Sequence, residues 1–70
     1  MQTTYWLYEG KKLITGIRAD VSASADEVKA KAINEVRLGV WGRTHPMQNP
    51  GDKINEIRRS QVTLAGRVIR

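Results

Sequence analysis

The sequence predicts an α+β fold: an antiparallel β-sheet of about 3–5 strands with one amphipathic helix packed on one face. Three observations lead there. Residues 3–8 and 12–21 read as two strands around a glycine turn. Residues 24–38, SADEVKAKAINEVRL, carry helical periodicity with matched start and stop signals. Residues 61–69, QVTLAGRVI, return to strand composition. The order is β-β-α-β, with an extra strand or helical turn expected within 40–59. At 70 residues the chain, 1–70, reads as one small domain, and a core of that size gives a thin stability margin.

The first strand, TTYWLY, is built of β-branched and aromatic residues. Gly10, within Glu9-Gly10-Lys11, is the natural positive-φ residue of a hairpin turn. In the second strand, Leu13, Ile17, Ala19 and Val21 share one face by strict alternation, and Lys12, Ile14, Arg18 and Asp20 the other. Gly16 interrupts the strand and marks a candidate bulge.

The helix has the clearest signals. Ser24 and Glu27 form an S-x-x-E capping box. Asp26 and Glu27 place negative charge in the first turn, and Arg37 places positive charge in the last. Val28, Ala32 and Val36 fall on one stripe with Ala25, at spacings of three and four. Gly39 suits a left-handed cap. The stripe is narrow and small, which suits close packing on a sheet. Glu27, Lys31, Glu35 and Arg37 are expected in solvent.

Beyond the helix, Val40 and Trp41 suggest the start of a third strand. Pro50-Gly51, within Asn49–Asp52, fits the centre of a type II turn. Ile54 and Ile57 are one helical turn apart, in a piece too short to assign. The last strand places Val62, Leu64 and Val68 on one face, and Thr63, Ala65, Arg67 and Ile69 on the other. Gly66 is expected to interrupt it as Gly16 interrupts the second.

The net charge is +5. Residues 1–56 hold eight bases and seven acids, whereas 57–70 hold four arginines and no acid. The excess is therefore C-terminal, in Arg58, Arg59, Arg67 and Arg70, and a local basic field attracts nucleic acid or an acidic partner. Catalysis is not expected. His45 is the one histidine, and the acids are dispersed, so no nucleophile–base pair or paired carboxylates emerge. The absence of cysteine excludes disulfides and thiolate metal sites, and one histidine with scattered carboxylates makes no chelating set. No cofactor is implied. No apolar run reaches the roughly 18 residues of a membrane span, and no signal peptide is apparent, so a cytoplasmic location and no membrane partner are expected.

Binding is the remaining class. Trp6 and Tyr8 share one face of the first strand, and Tyr5 and Leu7 the other. On an uncovered sheet face, Trp6 and Tyr8 would join Lys12 and Arg18, with Lys11 beside them, to stack bases and neutralise phosphates. The opposite assignment buries Trp6 under the helix, and the size of the indole favours that placement in a domain this small. The candidate binding residues are Trp6, Tyr8, Lys11, Lys12, Arg18, Arg58, Arg59, Arg67 and Arg70. The partner expected is nucleic acid or a nucleoprotein complex. An uncovered last strand would also let two copies pair as a homodimer.

The stretch Leu13 to Val36, LITGIRADVSASADEVKAKAINEV, joins a strand, a serine cap and an alanine-rich helix. In this pattern it resembles several small anti-CRISPR proteins of phages. The resemblance covers about a third of the chain. It implies a non-catalytic inhibitor that docks on a host CRISPR surveillance complex. Several such inhibitors are acidic DNA mimics. This chain is basic, so it would meet an acidic protein patch or retain bound DNA.

Overall fold

The computed structural model describes residues 1–39 and 49–69. In chain order these form β1 (Gln2–Glu9), β2 (Lys12–Asp20), α1 (Ala25–Arg37), α2 (Pro50–Arg59), β3 (Gln61–Leu64) and β4 (Arg67–Val68). The four strands make one antiparallel sheet in the order β2-β1-β3-β4. The α+β class and the helix-on-sheet arrangement are as the sequence predicts. The strand expected at Val40–Trp41 lies outside the described residues, as do His45 and Arg70.

The core forms between the sheet and the helices. Tyr5 and Leu7 of β1, Ile14, Ile17 and Ala19 of β2, and Val62 of β3 meet Val28, Ala32 and Val36 of α1 and Ile57 of α2. The three α1 residues are the stripe read from the sequence. Ser24 Oγ accepts from the Glu27 backbone N–H at 3.2 Å, the first half of the capping box. Of the residues expected in solvent, Glu27 and Arg37 are exposed, while Lys31 and Glu35 are half-buried. Lys31 reaches the sheet, where its ammonium donates to the carbonyl of Arg18.

The second helix occupies the stretch where Pro50-Gly51 reads as a type II turn and where an extra strand or helical turn is expected. Asn49 is its N-cap: the side-chain oxygen accepts from the Gly51 N–H at 2.8 Å and the Asp52 N–H at 3.4 Å. Pro50 occupies the first helical position, where its missing N–H costs nothing. Asn-Pro-Gly-Asp satisfies both turn and helix-start chemistry. The burial of Ile57 and Lys53 against the core decides for the helix.

Strict alternation misassigns part of β2. Leu7 pairs with Thr15 and Tyr8 with Leu13, which leaves Ile14 as an extra residue. The bulge therefore sits at Ile14, two residues before Gly16. It turns Ile14 into the core with Ile17 and Ala19 and moves Leu13 to the opposite face with Arg18. One extra residue reverses the facing of everything beyond it.

The single last strand of the sequence reading is in fact a hairpin. Ala65 and Gly66 both have positive φ, at 53° and 80°. That is the pattern of a type I′ turn, which matches the twist of the flanking strands. Thr63 then pairs with Val68, and Leu64 with Arg67. Val68 consequently shares a face with Thr63, not with Val62 and Leu64. Alanine in the left-handed region costs roughly 1 kcal/mol, whereas asparagine tolerates it. Ala65→Asn is expected to stabilise the protein by about 0.5–1 kcal/mol. A rise in urea midpoint with an unchanged m-value is the measurement; a lowered midpoint would contradict the turn assignment.

Candidate binding face of the sheet

Both helices feed one core, so they cover one side of the sheet. No described element covers the other. Register defines its residues, because directly opposed residues of neighbouring strands share a face. One row runs Leu13, Tyr8, Gln61 across β2, β1 and β3. The next runs Gly16, Trp6, Thr63, Val68. A third pairs Arg18 with Thr4. Trp6 is 43% exposed, Leu13 49% and Val68 50%. The core placement favoured by the size of the indole is corrected: Tyr5 and Leu7 take the buried positions of β1, and alternation sends Trp6 outward. Tyr5 is the aromatic of the core, and its hydroxyl donates to the Asp20 carbonyl at 2.8 Å.

Trp6 is not loosely exposed. A Cβ placed on Gly16 would lie 2.6 Å from Cζ3, 2.8 Å from Cε3 and 3.2 Å from Cη2 of the indole. An in-plane approach to Cζ3 would leave its two ring neighbours much farther away. The similar distances to three consecutive carbons place Gly16 against the flat of the ring. Glycine is required here by close approach rather than by a bulge. The indole thus rests one face on the β2 backbone and presents the other outward. Thr63 ties β3 to β1 at the same residue: its hydroxyl donates to the Trp6 carbonyl at 2.8 Å.

The predicted basic residues divide between the two sides. Arg18 lies on the open face and Lys11 in the exposed hairpin turn. These two cations bracket the β1 aromatics, one at the Thr4 end and one beyond Tyr8. Lys12 and Arg59 lie on the helix side. Lys12 is 3.9 Å from Glu56, and Arg59 Nε is 2.6 Å from Glu9 Oε2. The hydrogen bond from Arg59 holds the Glu9 carboxyl below its usual range, aided by the charges of Arg59 and Lys12. Glu9 is therefore ionised at neutral pH and keeps Arg59 engaged. Arg58 is exposed on α2, and Arg67 is exposed on β4 on the helix side by register. Arg58 and Arg59 thus lie at the end of α2 and Arg67 on β4, beyond the Ala65-Gly66 turn. Conversely, Leu13, Gln61, Thr63 and Val68 join Trp6 and Tyr8 without having been singled out. Gln61 and Thr63 follow from the alternation of β3, whereas Leu13 is placed only by the bulge at Ile14 and Val68 only by the turn at Ala65-Gly66.

Asp20, at the far end of β2, is held below its ordinary value by hydrogen bonds from the Ser22 hydroxyl, at 2.7 Å, and the Ser22 backbone N–H, at 2.9 Å. Among the described residues no cluster of three or more His, Cys, Asp or Glu side chains could hold a metal ion. No described helix is long and apolar enough to cross a membrane. No protein-family model, curated protein or solved structure matches this chain, so its function is read from its own geometry.

Proposed function

We propose that this protein is a non-enzymatic binding module that engages single-stranded nucleic acid, free or within a nucleoprotein complex, through the open face of its sheet. The observation that carries the reading is the indole of Trp6, seated flat on Gly16 with its outer face uncovered. A ring fixed from below is a preorganised stacking platform, and a base loses little by stacking on it. Tyr8 adds a second ring on the same face. Arg18 and Lys11 supply cations at either end, and the net charge of +5 favours an anionic ligand overall.

The test is a titration of short RNA and DNA oligomers, in low and then rising salt, with Trp41→Phe as background so that Trp6 alone reports. Binding is expected to quench Trp6 emission. Trp6→Ala, which removes the reporter and is read by the anisotropy of an end-labelled oligomer, is expected to weaken binding about 10- to 100-fold, the worth of one stacked base. Arg18→Ala is expected to lower the salt slope by about 0.7, one phosphate contact on a single strand. No binding at low salt, or full binding by Trp6→Ala, would defeat the reading.

Leu13 and Val68 favour a second reading. These exposed aliphatic side chains extend the face on both sides of the aromatics, and such a patch also suits a protein partner. The CRISPR surveillance complex implied by the resemblance is one such partner. Capture of a stoichiometric protein after nuclease treatment, lost in a Leu13→Ser, Val68→Ser variant, would favour it.

A further inference from the structure

We propose that the open face holds two neighbouring bases of an extended single strand, unstacked from each other, and that Gln61 hydrogen-bonds the edge of the base on Tyr8. This rests on the reading of the face as a nucleic-acid site. Trp6 and Tyr8 are two residues apart on β1, so their rings are displaced by about 7 Å along the strand. Stacked bases rise about 3.4 Å each, half that spacing. Neighbouring bases that lie on both rings must therefore be unstacked from each other. A duplex cannot offer them, whereas a single strand can.

The polar side chain beside each ring differs in its freedom. Thr63 flanks Trp6, but its hydroxyl is already committed to the Trp6 carbonyl. Gln61 flanks Tyr8 and is exposed on the same face. Leu13 closes the other side of Tyr8. A base on Tyr8 would thus be bounded by an apolar wall and a carboxamide. An amide presents one donor and one acceptor side by side, and in a single strand every base exposes an edge that meets such a pair. The Trp6 position then binds a base by its flat face alone, and the Tyr8 position adds an edge contact.

The probes are eight-nucleotide homopolymers of adenine, cytosine and uracil, read by Trp6 quenching in the Trp41→Phe background. Each is expected to bind at least about tenfold more tightly than a GC-rich RNA duplex of eight base pairs. Gln61→Ala should weaken the single strands about tenfold, the worth of one bidentate contact, and leave the duplex unchanged. Gln61→Glu, which lacks the donor pair, should behave likewise or worse. Full single-strand binding by Gln61→Ala would overturn the edge contact, and a duplex bound as tightly as the single strands would overturn the two-base arrangement, while either leaves the stacking site standing. Failure of every oligomer to bind at low salt would instead overturn the site itself.

Discussion

Val28→Asp is expected to leave the protein unfolded at neutral pH. Val28 lies at the end of the first turn of α1 at 0% exposure, in one cluster with residues of β1, β2, β3 and α2. A carboxylate there loses its water and finds only apolar neighbours, at a cost of several kcal/mol. The whole domain commands roughly 4–10 kcal/mol at the usual stability per residue, so the substitution consumes most of it. Circular dichroism and amide dispersion in proton NMR read the outcome. Ala30→Asp, on the exposed side of the same helix, introduces the same charge and should cost under about 1 kcal/mol. A cooperative transition near the wild-type temperature in Val28→Asp would show that α1 does not seal the core.

The parts legible in the sequence are those whose causes are local. The α1 cap, its stripe and its end are set within fifteen residues, and the structure keeps them. The β1–β2 hairpin is likewise local, with Gly10 at φ 63° in its turn. What escaped depends on partners far along the chain. The bulge at Ile14 cannot be placed from β2 alone, because it exists only against the register of β1. The α2 start and a type II turn ask for the same residues, and only burial separates them. Ala65 carries none of the usual composition of a type I′ turn, so the final hairpin looked like one strand. Charge suffered most: the C-terminal arginines divide between α2 and β4, and Glu9 and Glu56 took up Arg59 and Lys12. The aromatic part of the candidate face was legible as an alternation. Which side of the sheet it faced was not, because that required knowing that Tyr5 would fill the core.

The bulge has its own keystone, and this gives the second large effect. Lys53, in α2, is 4% exposed, and its ammonium donates to the Ile14 carbonyl at 2.7 Å in a buried setting. Together with Lys31 on the Arg18 carbonyl, it caps β2, an edge strand whose backbone would otherwise offer acceptors to another chain. Lys53→Ala removes a charge-assisted hydrogen bond, strands the bulge carbonyl and empties the space of the stem. The expected loss is about 3 kcal/mol. Lys53→Met keeps the stem and should lose about half of that. Burial holds the Lys53 ammonium below its ordinary value of 10.5, and the charge of Lys12 acts in the same direction, while Glu56 opposes both. The folded state therefore releases this proton at a lower pH than the unfolded chain. Its contribution to stability is full above about 10.5 and is lost as pH falls through the lower folded value. Relative to Lys53→Met, the wild type should gain stability between neutral pH and pH 10.5; the comparison cancels whatever titration the two proteins share. Urea midpoints of the two proteins across that range give the answer. A Lys53→Met variant as stable as the wild type at neutral pH, with the same pH profile, would show that the bulge stands without its lysine.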